Sequence, residues 1–327
     1  MNDPDQALVS IVLPTYKRAD VLPYAIDSVL AQTHTHWELI VIDDASPDHT
    51  REVIKSYDDP RIRYFRNTSN LKLPRSLNKG FYLAQGAYLT WTSDDNLFKE
   101  NAIEKMVHYL RTSGCDFVYA NYFLFEKLDS RGNPVPIRID NLPDSIRLEQ
   151  GNHIGACFLY TRRVYESIGD YDPQLFLVED YDFFIRVSKS FKMCHLSEPL
   201  YYFRRDDNTL YCSRFCLVKA ADALVRFKNG LLDENQVIDN LTSLLLKNPM
   251  NLNIPLYRWC VPVTKRFSFR LHQSLLSYLT GQVRNKLSQP VKDTLAAYQA
   301  QQLSFSEARD RLCALMQQIG KVEYRSS

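Results

Sequence analysis

The sequence lacks the features that mark an exported or membrane-spanning protein. None of its apolar runs reaches the roughly 18–20 residues that a transmembrane helix needs. Its first residues, MNDPDQALVSIVLP, have neither the basic start nor the apolar run of a signal peptide. Internal repeats and low-complexity tracts are also missing. We therefore expect a cytoplasmic protein without a membrane span.

The sequence also lacks the paired cysteines of a structural zinc site. Its seven cysteines are odd in number and scattered along the chain. Cys212 and Cys216 lie one helical turn apart, but no second pair with metal-ligand spacing accompanies them. We expect buried, reduced thiols, as is usual in a cytosolic protein.

The residues that are present indicate a globular protein with two segments of opposite charge. The 45% apolar, 12% aromatic and 24% charged residues suit a packed core and exclude a disordered chain. Residues 1–209 hold 24 basic and 30 acidic side chains, whereas residues 210–327 hold 16 and 8. The net charge of +2 conceals this difference, and the two segments are expected to have different partners.

The N-terminal part alternates between strand-like and helix-like patterns. Apolar, β-branched runs such as LVSIVLP (8–14) and ELIVIDDAS (38–46) are separated by amphipathic segments such as VLPYAIDSVLAQ. This alternation predicts an α/β domain with a parallel sheet covered by helices. Polar clusters end three of the strands: PTYKR (14–18), DDAS (43–46) and SDDN (93–96). Ligands of such sheets bind beyond the carboxyl ends of the strands, so the clusters predict a site there.

Each cluster has a structural and a functional interpretation. Asp94, Asp95 and Asn96 could form a turn that caps the next helix, but an oxygen-only cluster also suits Mg²⁺ or Mn²⁺. Tyr16 could be a core residue or could stack on a base. Asp44 could cap a helix or accept hydrogen bonds from a base or ribose.

Further basic and acidic residues also have both a structural and a functional interpretation. Arg18 and Arg75 could bind phosphates or be solvated helix residues. EDYDFFIRV (179–187) is typical of a helix whose first turn carries Glu179, Asp180 and Asp182. These acids could merely favour the positive end of the helix, or one of them could be a general base.

Together, VSIVLPTYKRADVLPYAIDSVLAQTHTHWELIVIDDAS and SLNKGFYLAQGAYLTWTSDDN resemble the nucleotide-binding half of a family 2 glycosyltransferase. The resemblance covers roughly residues 8–205. It implies the GT-A fold, a Rossmann-like, mostly parallel sheet flanked by helices. It also implies inverting transfer of a sugar from a nucleotide-diphosphate sugar, with Mn²⁺ or Mg²⁺ as cofactor.

The same resemblance assigns roles to individual residues. The base pocket would be lined by Pro14, Thr15 and Tyr16, while Asp44 would hold the base and Arg75 would be the basic contact of its loop. Asp94 would lie by the ribose and the metal, and Asp95 would bind the metal that bridges the diphosphate. SDDN stands where many members carry a longer acidic run, so the resemblance defines the site better than its ligand set.

The acceptor half follows from a second part of the resemblance. An ED pair before an aromatic helix matches the catalytic-base region of the family, so Asp180 would be the base and Glu179 a supporting or acceptor-orienting acid, with Asp182 structural. The family often has a histidine after a YYR-like strand, but PLYYFRRDDNT (199–209) has none, so either Arg205 or Asp206 substitutes for it or the contact is missing. His195 is expected to be a strand residue, and residues 125–145 a loop over the acceptor.

The C-terminal part, residues 210–327, has the periodicity of helices. The segment from Leu241 through Lys292 contains no aspartate or glutamate. A solvated face, an oligomer contact or binding to anionic lipid would each explain such a charge run. Nucleic acid is disfavoured, since no recognised binding motif accompanies the charge. The basic residues of this segment are Lys247, Arg258, Lys265, Arg266, Arg270, Arg284, Lys286 and Lys292, and the aromatic residues among them are Trp259, Phe267, Phe269 and Tyr278.

The sequence therefore predicts a metal-dependent, inverting glycosyltransferase with a GT-A domain over residues 1–209. Its nucleotide-sugar half would span about 8–98 and its acceptor half about 99–209, followed by a helical region over 210–327. The partners would be a nucleotide-diphosphate sugar, a hydroxyl acceptor such as a glycan or lipid-linked sugar, and the cytoplasmic face of an anionic membrane through residues 247–292. A nucleotidyltransferase is the alternative enzyme, but PTYKR lacks the glycine of a phosphate loop. A nucleotide-sugar-binding module without turnover is the non-enzymatic alternative.

Overall fold

The computed structural model describes residues 7–247, 252–253 and 269–322. The chain divides into two compact units, Met1–Asp206 and Asp207–Ser327. The boundary lies close to residue 209, where the charge balance of the sequence changes.

The first unit begins with strands and helices in strict alternation. The elements are β1 (Val9–Thr15), α1 (Leu22–Leu30), β2 (Trp37–Asp43), α2 (Thr50–Lys55), β3 (Ile62–Arg66) and α3 (Leu73–Leu83). Every residue of β1 and β2 is buried, which explains their nearly continuous apolar sequences. Helix α3 packs directly on β1, because a Cβ on Gly80 would come within 2.3 Å of Val12 Cγ1.

The remainder of this unit adds six strands and three helices. They are β4 (Tyr88–Trp91), β5 (Leu97–Phe98), α4 (Ala102–Ser113), β6 (Phe117–Leu128), β7 (Pro134–Asp140), β8 (Phe158–Thr161), α5 (Arg162–Ile168), α6 (Glu179–Ser188) and β9 (Met193–Arg204). All strands belong to one sheet with the order β3-β2-β1-β4-β8-β6-β9-β5, and β7 pairs with β6.

The sheet is mixed. Strands β3, β2, β1 and β4 are parallel, as the alternation predicted. Strand β8 is antiparallel to both β4 and β6, and β5 is antiparallel to β9. Two neighbouring parallel strands need a crossover connection, usually a helix. In the described residues no helix lies between β6 and β8, so these two strands pair in antiparallel orientation. The expected mostly parallel sheet therefore holds for the nucleotide-sugar half, and the acceptor half adds antiparallel strands.

Residues 125–145 form a hairpin for most of their length, so the prediction of a loop was wrong there. Strands β6 and β7 pair from Tyr122↔Asp140 to Leu128↔Pro134. The turn between them is closed by Asp129 Oδ1, which accepts hydrogen bonds from Arg131 N at 2.8 Å and Asn133 N at 2.9 Å. Two prolines obscured the strand pattern of β7 in the sequence, and its pairing with β6 contains two register shifts.

The second unit is helical within the described residues. It contains α7 (Leu210–Ser213), α8 (Phe215–Lys228), α9 (Glu234–Leu246), α10 (Phe269–Gln299) and α11 (Phe305–Ile319). Capping boxes at Asp233 and Ser304 begin α9 and α11, as a side-chain acceptor followed by Gln or Glu at the third helical position predicts. Apolar side chains such as Leu224, Leu241 and Leu312 form its core.

The basic segment predicted to contact lipid is only partly covered by the structure. Arg258, Trp259, Lys265, Arg266 and Phe267 lie outside the described residues. Among those inside, Arg284 binds Asp239 at 2.6 Å, and Tyr278 is 57% exposed. Of the helices that the structure describes, none has the length and hydropathy to cross a membrane.

The prediction that all the cysteines are reduced thiols was wrong for one pair. Cys115 and Cys194 form a disulfide, which joins the segment after α4 to the start of β9. Their Cα atoms are 6.2 Å apart, within the range that a disulfide spans. The pairing was invisible in the sequence because the two residues are 79 positions apart and meet only through the sheet. Cys216 and Cys313 are free thiols with neighbouring Sγ atoms.

Candidate active site

The polar clusters after β1, β2 and β4 meet at one edge of the sheet. These strands are adjacent and parallel, so their carboxyl ends point the same way. Hydrogen bonds join the segments that follow them: Asp44 N donates to Thr15 O at 2.9 Å, and Lys17 N donates to Ser46 Oγ at 3.1 Å. PTYKR, DDAS and SDDN therefore lie at the same edge of the sheet, as predicted.

Asp44 has an organising role that the sequence did not reveal. Its Oδ1 accepts hydrogen bonds from Asn67 Nδ2 and Leu71 N, both at 2.8 Å, and its Oδ2 accepts one from Lys72 N at 2.9 Å. The side chain is buried, so these bonds compensate its desolvation. Asp44 thus fixes the segment 67–72, which leads into α3 and Arg75.

The other residues predicted to contact the nucleotide differ in exposure. Pro14 and Thr15 are buried at the end of β1, whereas the following Tyr16 is 40% exposed and presents its ring to solvent. Arg75 is exposed in the first turn of α3. Tyr16 and Arg75 are therefore accessible to a ligand, while Pro14 and Thr15 can contribute mainly through their backbone.

Asp94 and Asp95 are adjacent carboxylates in a desolvated position. Burial raises the pKa of Asp94, and the neighbouring Asp95 carboxylate raises it further. Burial also raises the pKa of Asp95, an effect that the guanidinium groups of Arg18 and Arg204 oppose. A carboxylate pair held in this way gains stability from any cation that binds between or beside its oxygens.

Two arginines face Asp95. Arg18 Nη2 lies 3.4 Å from Asp95 Oδ2. Arg204, at the end of β9, is fixed by its backbone N, which donates to Asn96 Oδ1 at 2.7 Å, and by its Nε, which binds Asp206 Oδ2 at 2.7 Å. Sequence reasoning considered Arg205 and Asp206 here but not Arg204, and it interpreted Asn96 as a turn residue without its contact to Arg204. Their alignment depends on the pairing of β5 with β9, which no local pattern indicates.

The second acid cluster lies at the start of α6. Glu179 is 4% exposed, and its Oε2 accepts a hydrogen bond from Leu177 N at 2.8 Å. That bond holds Leu177 at a φ of 90°, a conformation that is rare for a residue with a side chain. Burial, followed by the nearby Asp180 carboxylate, raises the pKa of Glu179 to about 8.

Asp180 and Asp182 have separate environments. Asp180 is half-buried, and its Oδ2 accepts a hydrogen bond from Asn152 Nδ2 at 3.2 Å. Asp182 is fully buried and binds Arg186 Nε at 2.8 Å on the same helix. Of these two acids, Asp180 is the one open to a ligand, and Asp182 holds a side chain of its own helix.

Neighbouring segments hold the start of α6 in place. Asn78 on α3 makes paired hydrogen bonds to the backbone of Tyr171, at 2.8 and 2.9 Å. The Tyr181 hydroxyl donates to Leu148 O. Sequence reasoning missed Asn78 and Asn152, because an asparagine in a helix or loop carries no signal of so distant a partner.

His195 is a strand residue, as expected. It lies in β9 with Nδ1 2.6 Å from Asp144 Oδ1 and Nε2 2.8 Å from Asn121 Oδ1. Its ring also stacks on Tyr119 at a centroid distance of 5.1 Å. These contacts give it a structural position away from Asp94 and Asp95.

The sequence of this domain matches a known family. Residues 10–169 match the family model described as Glycosyl transferase family 2. The chain is 35% identical over 121 residues to a putative teichuronic acid biosynthesis glycosyltransferase, TuaG, of Bacillus subtilis, covering 36% of this chain and 47% of TuaG. It is 32% identical over 186 residues to a putative colanic acid biosynthesis glycosyl transferase, WcaA, of Escherichia coli, covering 55% of this chain and 66% of WcaA. The chain thus spans between about half and two thirds of the length of these relatives.

Solved structures share the fold. S. aureus TarS 1–349 in complex with UDP-GlcNAc superposes with a TM-score of 0.54 at 15% identity, covering 94% of this chain and 90% of that one. A mannosyltransferase of Pyrobaculum calidifontis, in complex with GDP-Man and Mn²⁺, gives a TM-score of 0.57 at 14% identity, covering 94% and 85%. The fold of this chain is therefore the GT-A fold with a helical C-terminal region, as the sequence predicted.

The raised pKa of Glu179 predicts a pH-dependent stability. The folded state holds a proton on Glu179 up to a pH of about 8, whereas the unfolded chain loses it near the usual value of 4.5. The free energy of unfolding should therefore fall as pH rises through this window. Glu179→Gln keeps an acceptor for Leu177 N and should be more stable than the wild type at pH 8–9. The linkage relation gives a difference of about a few kcal/mol in the free energy of unfolding for a pKa shift of this size.

Thermal unfolding of both proteins between pH 3.5 and 9 measures this difference. The gap should narrow as pH falls and should be nearly closed at about pH 3.5, below the usual pKa of 4.5, where the wild-type carboxyl is protonated in both states. Glu166→Gln, at an exposed position on α5, is the matched control and should follow the wild type at every pH. A constant difference between Glu179→Gln and the wild type across the range would contradict the buried, protonated state of Glu179.

Proposed function

Because residues 10–169 belong to glycosyl transferase family 2, we propose that this protein is an inverting glycosyltransferase. It transfers a sugar from a nucleotide-diphosphate sugar to a hydroxyl acceptor. The observation that carries the proposal is the presence of two buried acid clusters in one GT-A domain, one after β4 and one at the start of α6. Transfer requires two such groups, one to bind the donor diphosphate and one to activate the acceptor.

The nucleotide is bound by the segments after β1 and β2. Tyr16 offers an exposed ring on which a base can stack. Asp44 would hold the base and Arg75 would be the basic contact, and the hydrogen bonds from Leu71 N and Lys72 N to Asp44 support both by fixing the segment that leads to Arg75. Asp94 accepts a hydrogen bond from the ribose, and Arg18 binds a phosphate.

The acid pair after β4 fits a divalent cation. Its two carboxylates are hard oxygen ligands, and their burial leaves negative charge in a poorly solvated place. Among the described residues, no three His, Cys, Asp or Glu side chains surround a common metal position. One or two carboxylates completed by substrate phosphates and water is the usual arrangement for Mg²⁺. Asp95, with Asp94, would therefore hold Mn²⁺ or Mg²⁺, which when bound would neutralise charge on the departing diphosphate.

Asp180 is the general base in this proposal. Its carboxylate takes the proton from the acceptor hydroxyl while the hydroxyl oxygen forms a bond to the anomeric carbon of the donor. The bond from that carbon to the diphosphate oxygen breaks, and its electron pair leaves with the diphosphate, so the centre is inverted. Asn152 orients the Asp180 carboxylate.

Glu179 acts beside the base in its neutral form. At neutral pH its raised pKa keeps the proton, so it can donate a hydrogen bond to the acceptor and does not add a second negative charge. Glu179 thus orients the acceptor, and Asp180 accepts its proton.

The acceptor belongs to cell-surface polysaccharide or glycolipid synthesis. TuaG and WcaA are named for the biosynthesis of teichuronic and colanic acid, and both names support an acceptor of this class. A lipid-linked sugar on the cytoplasmic face of a membrane is the simplest such acceptor. The acid-free basic segment 247–292 would then bind the anionic lipid around it.

Replacement of the proposed base tests the activity. Asp180→Asn keeps the size of the side chain but removes the proton acceptor, so turnover should fall by roughly 10²–10⁴-fold while donor binding persists. Release of nucleoside diphosphate from a panel of nucleotide sugars measures turnover, and calorimetry measures binding. Glu166→Gln is the control at an exposed acid. Normal turnover by Asp180→Asn would assign the base to another acid, and a wild type that releases no diphosphate would leave a binding module.

Replacement of Asp95 tests the metal site. Asp95→Ala should lose both Mn²⁺-dependent turnover and Mn²⁺ binding in the presence of nucleoside diphosphate, because the leaving group loses its counter-charge. Electron paramagnetic resonance of Mn²⁺ follows the binding directly, independently of activity. Full turnover by the variant in excess chelator would disprove metal dependence through Asp95.

Vesicle co-sedimentation tests the membrane contact. Each Lys or Arg at an anionic surface contributes about 1 kcal/mol, so three or four engaged residues should give salt-sensitive attachment. The wild type should pellet with anionic vesicles, not with neutral ones, and about 0.5 M salt should release it because screening shortens the electrostatic range. A Lys265/Arg266/Arg270 charge-reversal variant is the control. Equal recovery of both proteins in the supernatant would show that the basic segment has another role.

A further inference from the structure

Two thiols face each other inside the helical second unit. Cys216 lies in the first turn of α8, and Cys313 lies in the middle of α11, 97 positions later. Their Sγ atoms are 2.7 Å apart, and the Cys216 thiol also donates a hydrogen bond to Cys313 O at 3.7 Å. Both residues are buried, so the packing of α8 against α11 sets the distance between the two sulfurs.

This distance distinguishes a covalent bond from a shared metal ion. Two sulfurs on one tetrahedral Zn²⁺, each about 2.3 Å from the ion, are about 3.8 Å apart, whereas the sulfurs of a disulfide are about 2.05 Å apart. The thiols would have to separate to hold a metal, but they need to approach by only about 0.7 Å to form a disulfide. Within the part of the chain that the structure describes, no third His, Cys, Asp or Glu completes a metal site with them. The pair therefore suits oxidation better than metal binding.

A cavity beside the pair gives small molecules access to it. Its volume is about 780 Å³, and its wall includes both Cys216 and Cys313. Ser213 and Arg214, which also line the cavity, are exposed, so it opens to solvent. A cavity of several hundred Å³ accommodates a molecule of ordinary ligand size. The thiols are therefore buried among protein atoms but reachable by a small oxidant.

The two thiols differ in how easily they ionise. The hydrogen bond between them lowers the pKa of Cys313 and raises the pKa of Cys216, and burial raises that of Cys216 further. The thiolate is the form of cysteine that attacks a disulfide. Cys313 is therefore the attacking thiol, and Cys216 is the second thiol, which lies within reach of the sulfur that has reacted.

We propose that Cys216 and Cys313 are a redox-active pair, which a small-molecule disulfide such as oxidised glutathione converts to a disulfide. The Cys313 thiolate attacks one sulfur of the small disulfide and displaces a thiolate, which takes up a proton and leaves as a thiol. Cys216 then loses its proton and attacks Cys313 Sγ, and the second small thiol leaves. The pair is oxidised by two electrons, and the small disulfide is reduced to two thiols. The new bond joins α8 to α11, and the assignment is independent of the proposed glycosyl transfer.

Mass-spectrometric mapping of the folded, full-length protein tests the pairing. The protein is incubated with oxidised and reduced glutathione at a series of ratios, the remaining thiols are alkylated, and the digested peptides are analysed. The peptides of Cys216 and Cys313 should appear joined. The ratio of oxidised to reduced glutathione that joins them should be about 10-fold lower than the ratio that adds glutathione to Cys212, because the second step is intramolecular.

Single substitutions separate the two steps. In Cys216→Ser the reaction should stop at a mixed disulfide between Cys313 and glutathione, because no second thiol resolves it. In Cys313→Ser glutathione should add to Cys216 about 10-fold more slowly than it adds to Cys313 in the other variant, because the Cys216 thiol ionises less easily. Cys212→Ser is the matched control on the same cavity wall and should form the Cys216–Cys313 bond as the wild type does.

Thermal unfolding gives a second readout. A bond that closes so long a loop restricts the unfolded chain, so oxidation should raise the Tm of the wild type by about 5–10 °C more than that of Cys216→Ser. The Cys115–Cys194 disulfide is common to both proteins, so its contribution cancels in this comparison.

The outcomes are distinct. A joined Cys216–Cys313 peptide from the folded protein supports the redox pair. Two separately alkylated thiols at ratios that already modify Cys212, or a bond from either thiol to another cysteine, overturns it. Pairing that appears only in denaturant overturns it as well, because the folded arrangement then has no part in the reaction. None of these results bears on glycosyl transfer, which the nucleotide assays test separately.

Discussion

The cost of burying adjacent carboxylates governs the arrangement of this domain. Asp94 and Asp95 follow a buried strand directly, and taking a carboxylate out of water without a partner costs several kcal/mol. The chain limits that cost with Arg18 from one loop and Arg204 from β9, so the sheet must bring the ends of β1, β4 and β9 to the same place. In the proposed function, a metal ion bound to Asp95 and Asp94 would add further positive charge, and the anionic diphosphate would bind to that ion.

The parts of the site that are local in sequence were predictable. A buried strand that ends in acids can be recognised from a few residues, and the parallel order of β1, β2 and β4 follows from their alternation with helices. The position of the acid pair at the start of α6 follows in the same way from an aromatic helix. Periodicity therefore predicted where the two acid clusters lie in the fold, whereas their catalytic roles are what the resemblance to family 2 glycosyltransferases implies.

The partners of those acids were not predictable, because they depend on pairings between distant segments. Arg204 reaches Asn96 across 108 positions, and Asn152 reaches Asp180 across 28. The Cys115–Cys194 disulfide and the antiparallel strand β8 have the same origin, since both follow from the sheet order of the acceptor half. The three hydrogen bonds that Asp44 accepts from the segment 67–72 were not predictable for the same reason, and its contact with the base remains a prediction.

The placement of the two acid clusters on separate elements has a chemical reason. A cation close to a carboxylate lowers its pKa and so weakens it as a base, which suits a metal ligand and harms a proton acceptor. Asp95 belongs to the loop after β4, beside Arg18 and at the position proposed for the cation, whereas Asp180 lies in the first turn of α6 beside Glu179, whose pKa is raised by burial. In the proposed function, these different neighbours suit similar carboxyl groups to different tasks, one as a metal ligand and one as a proton acceptor.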